Sequence, residues 1–243
     1  MKKLTFLIML LGGLTLAISS CGTDEPKTEN LQANYFVLKP GAEYIYRVDS
    51  VNFLKIPYDT SKYWQREVVG QEVEALDGAL YHEIKVYKKF TWNENWRLLR
   101  TDLARNTETY SERYTENVMF RKMVYPITST RVWTAAPYND IELLYDEGVT
   151  FNDATYSNIH QVCFIDQHGF DSTVSVIQFE RYDFIHRFNY REKYANNVGL
   201  IKRVEINVEY QDPDPLQQSD TSEYEAVNGY KLIQKIVDYN IPR

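Results

Sequence analysis

The chain is expected to be mainly β: a single antiparallel sheet of about eleven strands, curved into a half-open or closed barrel, with at most one or two short helices. Three observations predict this. Tyr, Phe and Trp number 20, 11 and 4 against only 10 Gly and 8 Pro, and aromatic residues favour pleated, half-buried surfaces. Beyond residue 34, apolar and polar residues repeatedly alternate with period two, the pattern of strands with one wet face. Turn signals fall between these runs, at Pro40-Gly41 and Asp77-Gly78, where tight reversals join neighbouring strands.

Order is expected to begin at Tyr35-Phe36-Val37-Leu38. The Pro40-Gly41 turn then feeds a strand over Glu43–Phe53, with Tyr44, Tyr46 and Val48 on one face and Arg47 and Asp49 on the other. Lys62–Glu74 and Leu80–Thr91 flank the Asp-Gly turn as a hairpin. Trp92-Asn93-Glu94-Asn95-Trp96 reads as a turn bounded by tryptophans, with Arg97–Leu103 as the returning strand. Further strands are expected at Glu108–Arg113, Val118–Pro126, Asn158–Asp166, Ser172–Arg181, His186–Tyr194, Leu200–Tyr210 and Tyr230–Tyr239. Asn139–Glu147 has a helical pattern, with Ile141, Leu144 and Tyr145 three and four apart. Pro213 and Pro215 make QDPDPLQQSD a loop, because proline cannot donate to a central ladder. Residues 35–243 contain no internal repeat or linker and match one large all-β domain in size.

The N-terminus has a different composition. Lys2-Lys3, an apolar run from Leu4 to Ile18 and then Ile18-Ser19-Ser20-Cys21 spell a bacterial lipoprotein signal. Residues 1–20 would be the signal peptide, and Cys21 would become the lipidated first residue. The apolar run is broken by Gly12-Gly13 and is shorter than the roughly 20 residues a permanent helical span needs. Residues 21–34, CGTDEPKTENLQAN, are polar and read as a flexible acidic tether. The expected location is the outer membrane, lipid-anchored and facing either the cell surface or the periplasm.

Removing residues 1–20 takes away Lys2 and Lys3 and no acid, leaving 25 basic and 34 acidic residues, a net charge of −9. Basic residues are interspersed with these acids, so nucleic acid is not an expected partner. The membrane partner is reached through the lipid on Cys21, after which only Cys163 remains, so no intramolecular disulfide is expected.

Motifs for catalysis are missing. No two glycines have the Gly-x-Ser-x-Gly spacing that exposes a serine nucleophile, and no glycine-rich phosphate cradle is present. His82-Glu83 begins like a zinc-protease motif, but Val86 stands where the second histidine belongs. His160, Cys163 and His168 are scattered, and His160 and Cys163 would point to opposite faces of a regular strand. Asp212, Asp214 and Asp220 form the best oxygen-rich loop for calcium, without the glycine and glutamate of a helix-loop-helix site. Hence no catalytic residue, metal ligand or cofactor is assigned. Asp146, Glu147 and Asp153 are the acids that a carboxylate hydrolase would need to bring together. Phe90, Trp92 and Trp96 at a hairpin tip are candidate ligand contacts, able to stack on a sugar ring. Their other reading is cross-strand packing that pins the hairpin.

Three segments carry a resemblance: Cys21-Gly22-Thr23-Asp24-Glu25, YFVLKPGAEYIYRVDSV at 35–51 and EKYANNVGLIKRVE at 192–205. Together they resemble small lipoproteins of the Bacteroidetes type, which follow the lipidated cysteine with an acidic tether. YANNVGLIKR is also similar to a recurring piece of curved-sheet lipoproteins, including LolA-like lipoprotein carriers. The resemblance implies a curved sheet and outward export, and it transfers no catalytic residue. The leading expectation is a non-catalytic binding or accessory module of the envelope, receiving a glycan, an apolar molecule or a protein partner. The alternatives are an envelope hydrolase with carboxylates on sheet-edge loops, and a structural component of a surface complex.

Overall fold

Twelve antiparallel strands form one sheet, seen in a computed structural model that describes residues 34–54, 57–75, 78–137, 153–182, 185–210 and 226–242. The first six are β1 (Glu43–Asn52), β2 (Asp59–Glu74), β3 (Leu80–Lys89), β4 (Arg97–Asn106), β5 (Tyr110–Thr115) and β6 (Val118–Val124). The other six are β7 (Val132–Trp133), β8 (Ala154–Ile165), β9 (His168–Tyr182), β10 (His186–Ala195), β11 (Gly199–Tyr210) and β12 (Ala226–Asn240). All eleven expected strands are present. The addition is β7, two residues long and therefore without a readable alternation. The Asn139–Glu147 pattern and the QDPDPLQQSD stretch lie outside the described residues. Among the described residues, no helix is long and apolar enough to cross a membrane.

The strand order is β6-β5-β4-β3-β2-β1-β12-β11-β10-β9-β8-β7. Consecutive strands pair except β6 and β7, and the first and last strands pair in the middle of the sheet from Glu43↔Asn240 to Asn52↔Tyr230. The free edges are therefore β6 and β7, halfway along the chain. The sheet curls until these edges nearly meet, which removes most of the edge liability of an open sheet. Side chains stitch the seam. Tyr156 on β8 uses its hydroxyl to accept from Val124 N at 2.8 Å and donate to Val124 O at 2.9 Å. Trp133 Nε1 donates to Arg121 O at 3.0 Å, and Arg121 N donates to Ala135 O at 2.6 Å.

Turn chemistry sets the register. Gly41 has φ of 84° and donates its N–H to Val69 O at 2.8 Å, seating the start of β1 against β2. Such a positive φ suits glycine because it has no Cβ. Gly229 on β12 is also required: a Cβ there would lie 2.0 Å from Asn207 O.

Alternation puts Tyr44, Tyr46 and Val48 of β1 inside the barrel, as expected. Tyr44 and Tyr46 form the apolar core with Val69, Ile84, Val86, Met123, Tyr156, Val174, Ile201 and Ile236. The segment before β1 packs onto it: Tyr35 and Phe36 are buried, Asn106 Nδ2 holds Phe36 O at 2.8 Å, and Tyr35 Oη bonds Ser172 Oγ at 2.6 Å. Fully burying each of the larger apolar side chains contributes about 1.5–3 kcal/mol.

Candidate functional site

The barrel interior is not apolar throughout. β2 carries Gln65 and Glu67 on its inward face, in the alternation that buries Val69, and its outward neighbours are Trp64 and Arg66. Asp102, Arg113, Lys122, Gln178, Glu192 and Gln234 are likewise buried, from β4, β5, β6, β9, β10 and β12. Arg203 of β11 completes the layer.

Two acid-centred clusters organise these groups. Arg113 donates to Glu67 at 2.8 Å and to Asp102 at 2.6 and 2.9 Å, while Gln65 Nε2 donates to Glu67 at 2.8 Å. Asp102 also accepts from Arg100 Nε and Thr115 Oγ1, both at 3.0 Å. In the second cluster Glu192 accepts from Lys122 at 3.0 Å, Arg203 at 2.9 Å, Gln178 at 2.5 Å and Tyr194 at 2.7 Å. Burial by itself would raise the Glu192 carboxyl, but Lys122 and Arg203 outweigh it and bring the pKa down to about 2. Burial also opposes ionisation of Glu67, and Arg113 overcomes it. Lys122 behaves differently: desolvation lowers its pKa despite Glu192, and the like charge of Arg203 adds to that lowering. Glu192 is thus stabilised as an anion by two cations that repel one another.

On one side of this layer lies a small void of about 40 Å³, lined by core residues including Phe36, Tyr44, Tyr46 and Leu200. On the other side lies a chamber of about 340 Å³, within the size range of small-molecule sites. Arg203 and Lys122 line both spaces, so the ionic layer is the partition between them. Tyr63, Phe120, Tyr190 and Tyr230 give the chamber aromatic walls, Val118 and Leu232 add aliphatic surface, and Gln65, Gln178 and Gln234 add amides. Glu116, on the β5–β6 turn, lines it with 75% of its side chain exposed, so the chamber meets solvent there.

Gln234 is the unusual member. Only 1% exposed, it has no hydrogen-bond partner for Nε2. Turning the amide over would put the oxygen in the same unpartnered position. A buried polar atom left this way costs about 1–3 kcal/mol.

The hairpin aromatics sit elsewhere. Lys89 is paired with Trp64 across β2 and β3, on the face opposite Gln65. Its ammonium lies 4.3 Å from the Trp92 ring centroid and 4.5 Å from that of Trp96, and donates to Trp92 O at 3.0 Å. Trp64 meets Trp92 edge-on at 5.2 Å. Trp92 is 65% exposed, yet its ring helps to bury Lys89. Phe90 is turned toward Tyr63 and shares with it the Lys88 ammonium, 3.8 Å from the Tyr63 centroid and 4.6 Å from that of Phe90. Through Tyr63, Phe90 touches the chamber's lining.

His160 donates to or accepts from Tyr35 Oη at 2.8 Å, Cys163 lies 3.7 Å from Lys193 Nζ, and His168 stacks on Phe170. His82 Nδ1 bonds Gly70 O at 3.2 Å. Among the described residues no group of three His, Cys, Asp or Glu is placed to hold a metal ion. Asp153 is exposed, whereas Cys21, Asp146, Glu147, Asp212, Asp214 and Asp220 lie outside the described residues. Comparison with family models, curated proteins and solved structures finds no match to this chain.

The chamber residues escape sequence reasoning because inward and outward polar residues look alike. Their one signal is β2 itself, where Gln65 and Glu67 occupy the positions that continue the inward phase of Val69.

Proposed function

We propose that this chain is an outer-membrane-anchored lipoprotein acting as a non-catalytic binding module, with the barrel chamber as its ligand site. The observation that carries the reading is the chamber of about 340 Å³ beside a buried, unpartnered Gln234 amide. A barrel that served only as a packed scaffold would gain by replacing such an amide with an apolar side chain, since an unpaired buried amide costs stability. The anchor is supported by the Ile18-Ser19-Ser20-Cys21 pattern behind Lys2-Lys3. Glu67 and Glu192, beneath the chamber, are both held ionised, so neither supplies the protonated carboxyl that glycoside hydrolysis needs as its acid.

Two measurements test this. Native mass spectrometry of the full-length chain, gently extracted, is expected to detect a small molecule that is lost when Leu232→Trp fills the chamber. Retention of the adduct by Leu232→Trp would move the site elsewhere, and an adduct-free wild type that takes up no added small molecule would end the binding reading. Labelling cells with an alkyne fatty acid is expected to mark the wild-type chain and not Cys21→Ala; equal labelling would remove the anchor.

A further inference from the structure

We infer that the chamber takes a neutral saccharide of one or two pyranose rings, an inference that rests on the binding-module reading and names its ligand class. The cations at or beneath the chamber surface are Arg100, Arg113, Lys122 and Arg203, and the acids facing them are Glu67, Asp102, Glu116, Glu192 and Glu205. Arg100 pairs with Asp102 at 3.0 Å and reaches Glu116 at 3.8 Å; Arg203 pairs with Glu192 at 2.9 Å and reaches Glu205 at 3.7 Å. Lys122 and Arg113 are engaged as described above. A carboxylate or phosphate ligand would have to displace one of these acids from its cation, and no surplus positive charge favours the exchange.

A purely apolar ligand fails for the opposite reason. It would cover the Gln234 amide and the ionic partition with hydrocarbon, leaving the amide unpaired and removing any water from charged groups. The ligand that fits has hydroxyls to accept from and donate to the amides of Gln65, Gln178 and Gln234, and apolar faces to lie against aromatic rings. A pyranose has both: equatorial hydroxyls around its rim and C–H groups on its faces. The chamber supplies matching surfaces, with Tyr63, Phe120, Tyr190 and Tyr230 as walls and Gln234 as the buried donor. Gln234 sits on β12 opposite Arg203 of β11, beside the partition, so it would meet the deepest hydroxyl.

Isothermal titration of the purified full-length chain tests the inference with galactose, N-acetylglucosamine, maltose and cellobiose as neutral probes, galacturonate as the anionic probe and palmitate as the apolar one. At least one neutral sugar is expected to bind, with affinity reduced at least tenfold by Gln234→Leu. Phe120→Ala, which leaves the amide in place, is expected to weaken the same sugar several-fold and serves if Gln234→Leu does not fold. Galacturonate or palmitate binding that Leu232→Trp abolishes, with all four neutral sugars inert, would overturn the saccharide class and leave the binding module standing. Failure of every probe to bind would overturn both. Neutral-sugar binding unchanged in both Gln234→Leu and Phe120→Ala would place the sugar outside the chamber and overturn the inference.

Discussion

The interior has two regions built on different physics. Around Tyr46, Ile201 and Ile236 it is close-packed and apolar, with the Tyr46 hydroxyl donating to Leu200 O at 3.1 Å. Around Glu67, Arg113, Glu192 and Arg203 it is ionic, and beyond those groups it is open. Packing consumes space, whereas a network of ion pairs holds strands apart at fixed distances. A barrel can therefore be rigid and still keep a chamber: the apolar region supplies stability and the ionic region supplies shape.

Arg113 is the most sensitive position in the ionic region. Arg113→Ala would leave Glu67 and Asp102 buried without their main cation and is expected to cost about 3–5 kcal/mol, read as a drop in the urea midpoint. Ile236→Ala, its counterpart in the apolar region, should cost about 2–4 kcal/mol. An Arg113→Ala chain as stable as wild type would mean that the ionic region does not brace the barrel.

Acid should act on the ionic region rather than on the apolar one. The Glu192 carboxyl takes up its proton near pH 2 in the folded chain and near its ordinary 4.5 when unfolded. Its contribution, on the order of 3 kcal/mol, is therefore complete above about pH 4.5 and drains away as pH falls toward about 2. Urea titrations across that window should show the loss, and Glu192→Gln should flatten it. An unchanged slope in Glu192→Gln would remove that carboxylate from the acid response.

Smaller effects sharpen the picture. Trp92→Ala should lower stability by about 0.5–1 kcal/mol through the lost contact with Lys89, measured by thermal melting. A change in saccharide affinity without a change in stability would instead return Trp92 to the ligand contacts. Gln234→Leu, in the absence of ligand, should be neutral or raise the melting temperature slightly, because it removes a buried donor that has no partner. A loss of several kcal/mol there would mean that Gln234 serves the fold.

Local pattern made the strands legible. Tyr44, Tyr46 and Val48 alternate with Ile45 and Arg47, and Gly41 and Gly78, the glycines of the two turn signals, have positive φ. The ends shifted by a few residues, as with β2, which begins at Asp59 rather than Lys62, because strand ends are set by pairing with β1 down to Asn52↔Asp59. β7 was invisible at two residues. Trp92 and Trp96 gather around Lys89 while Phe90 turns toward Tyr63, a division the sequence does not show, since nothing in WNENW reveals that Lys89 turns toward the tryptophans.

A mainly β domain, its strands and turns, and the lipobox-like pattern at Cys21 are written in local residue order, because they depend on period and on residue conformations that act over a few positions. The meeting of β1 and β12 in the middle of the sheet, the seam between β6 and β7 and the chamber arise only when the whole sheet closes. Glu67, Lys122, Glu192 and Gln234 come from four separate strands. A buried charge is tolerable only beside its partner, and which strands become neighbours is settled by closure of the whole sheet.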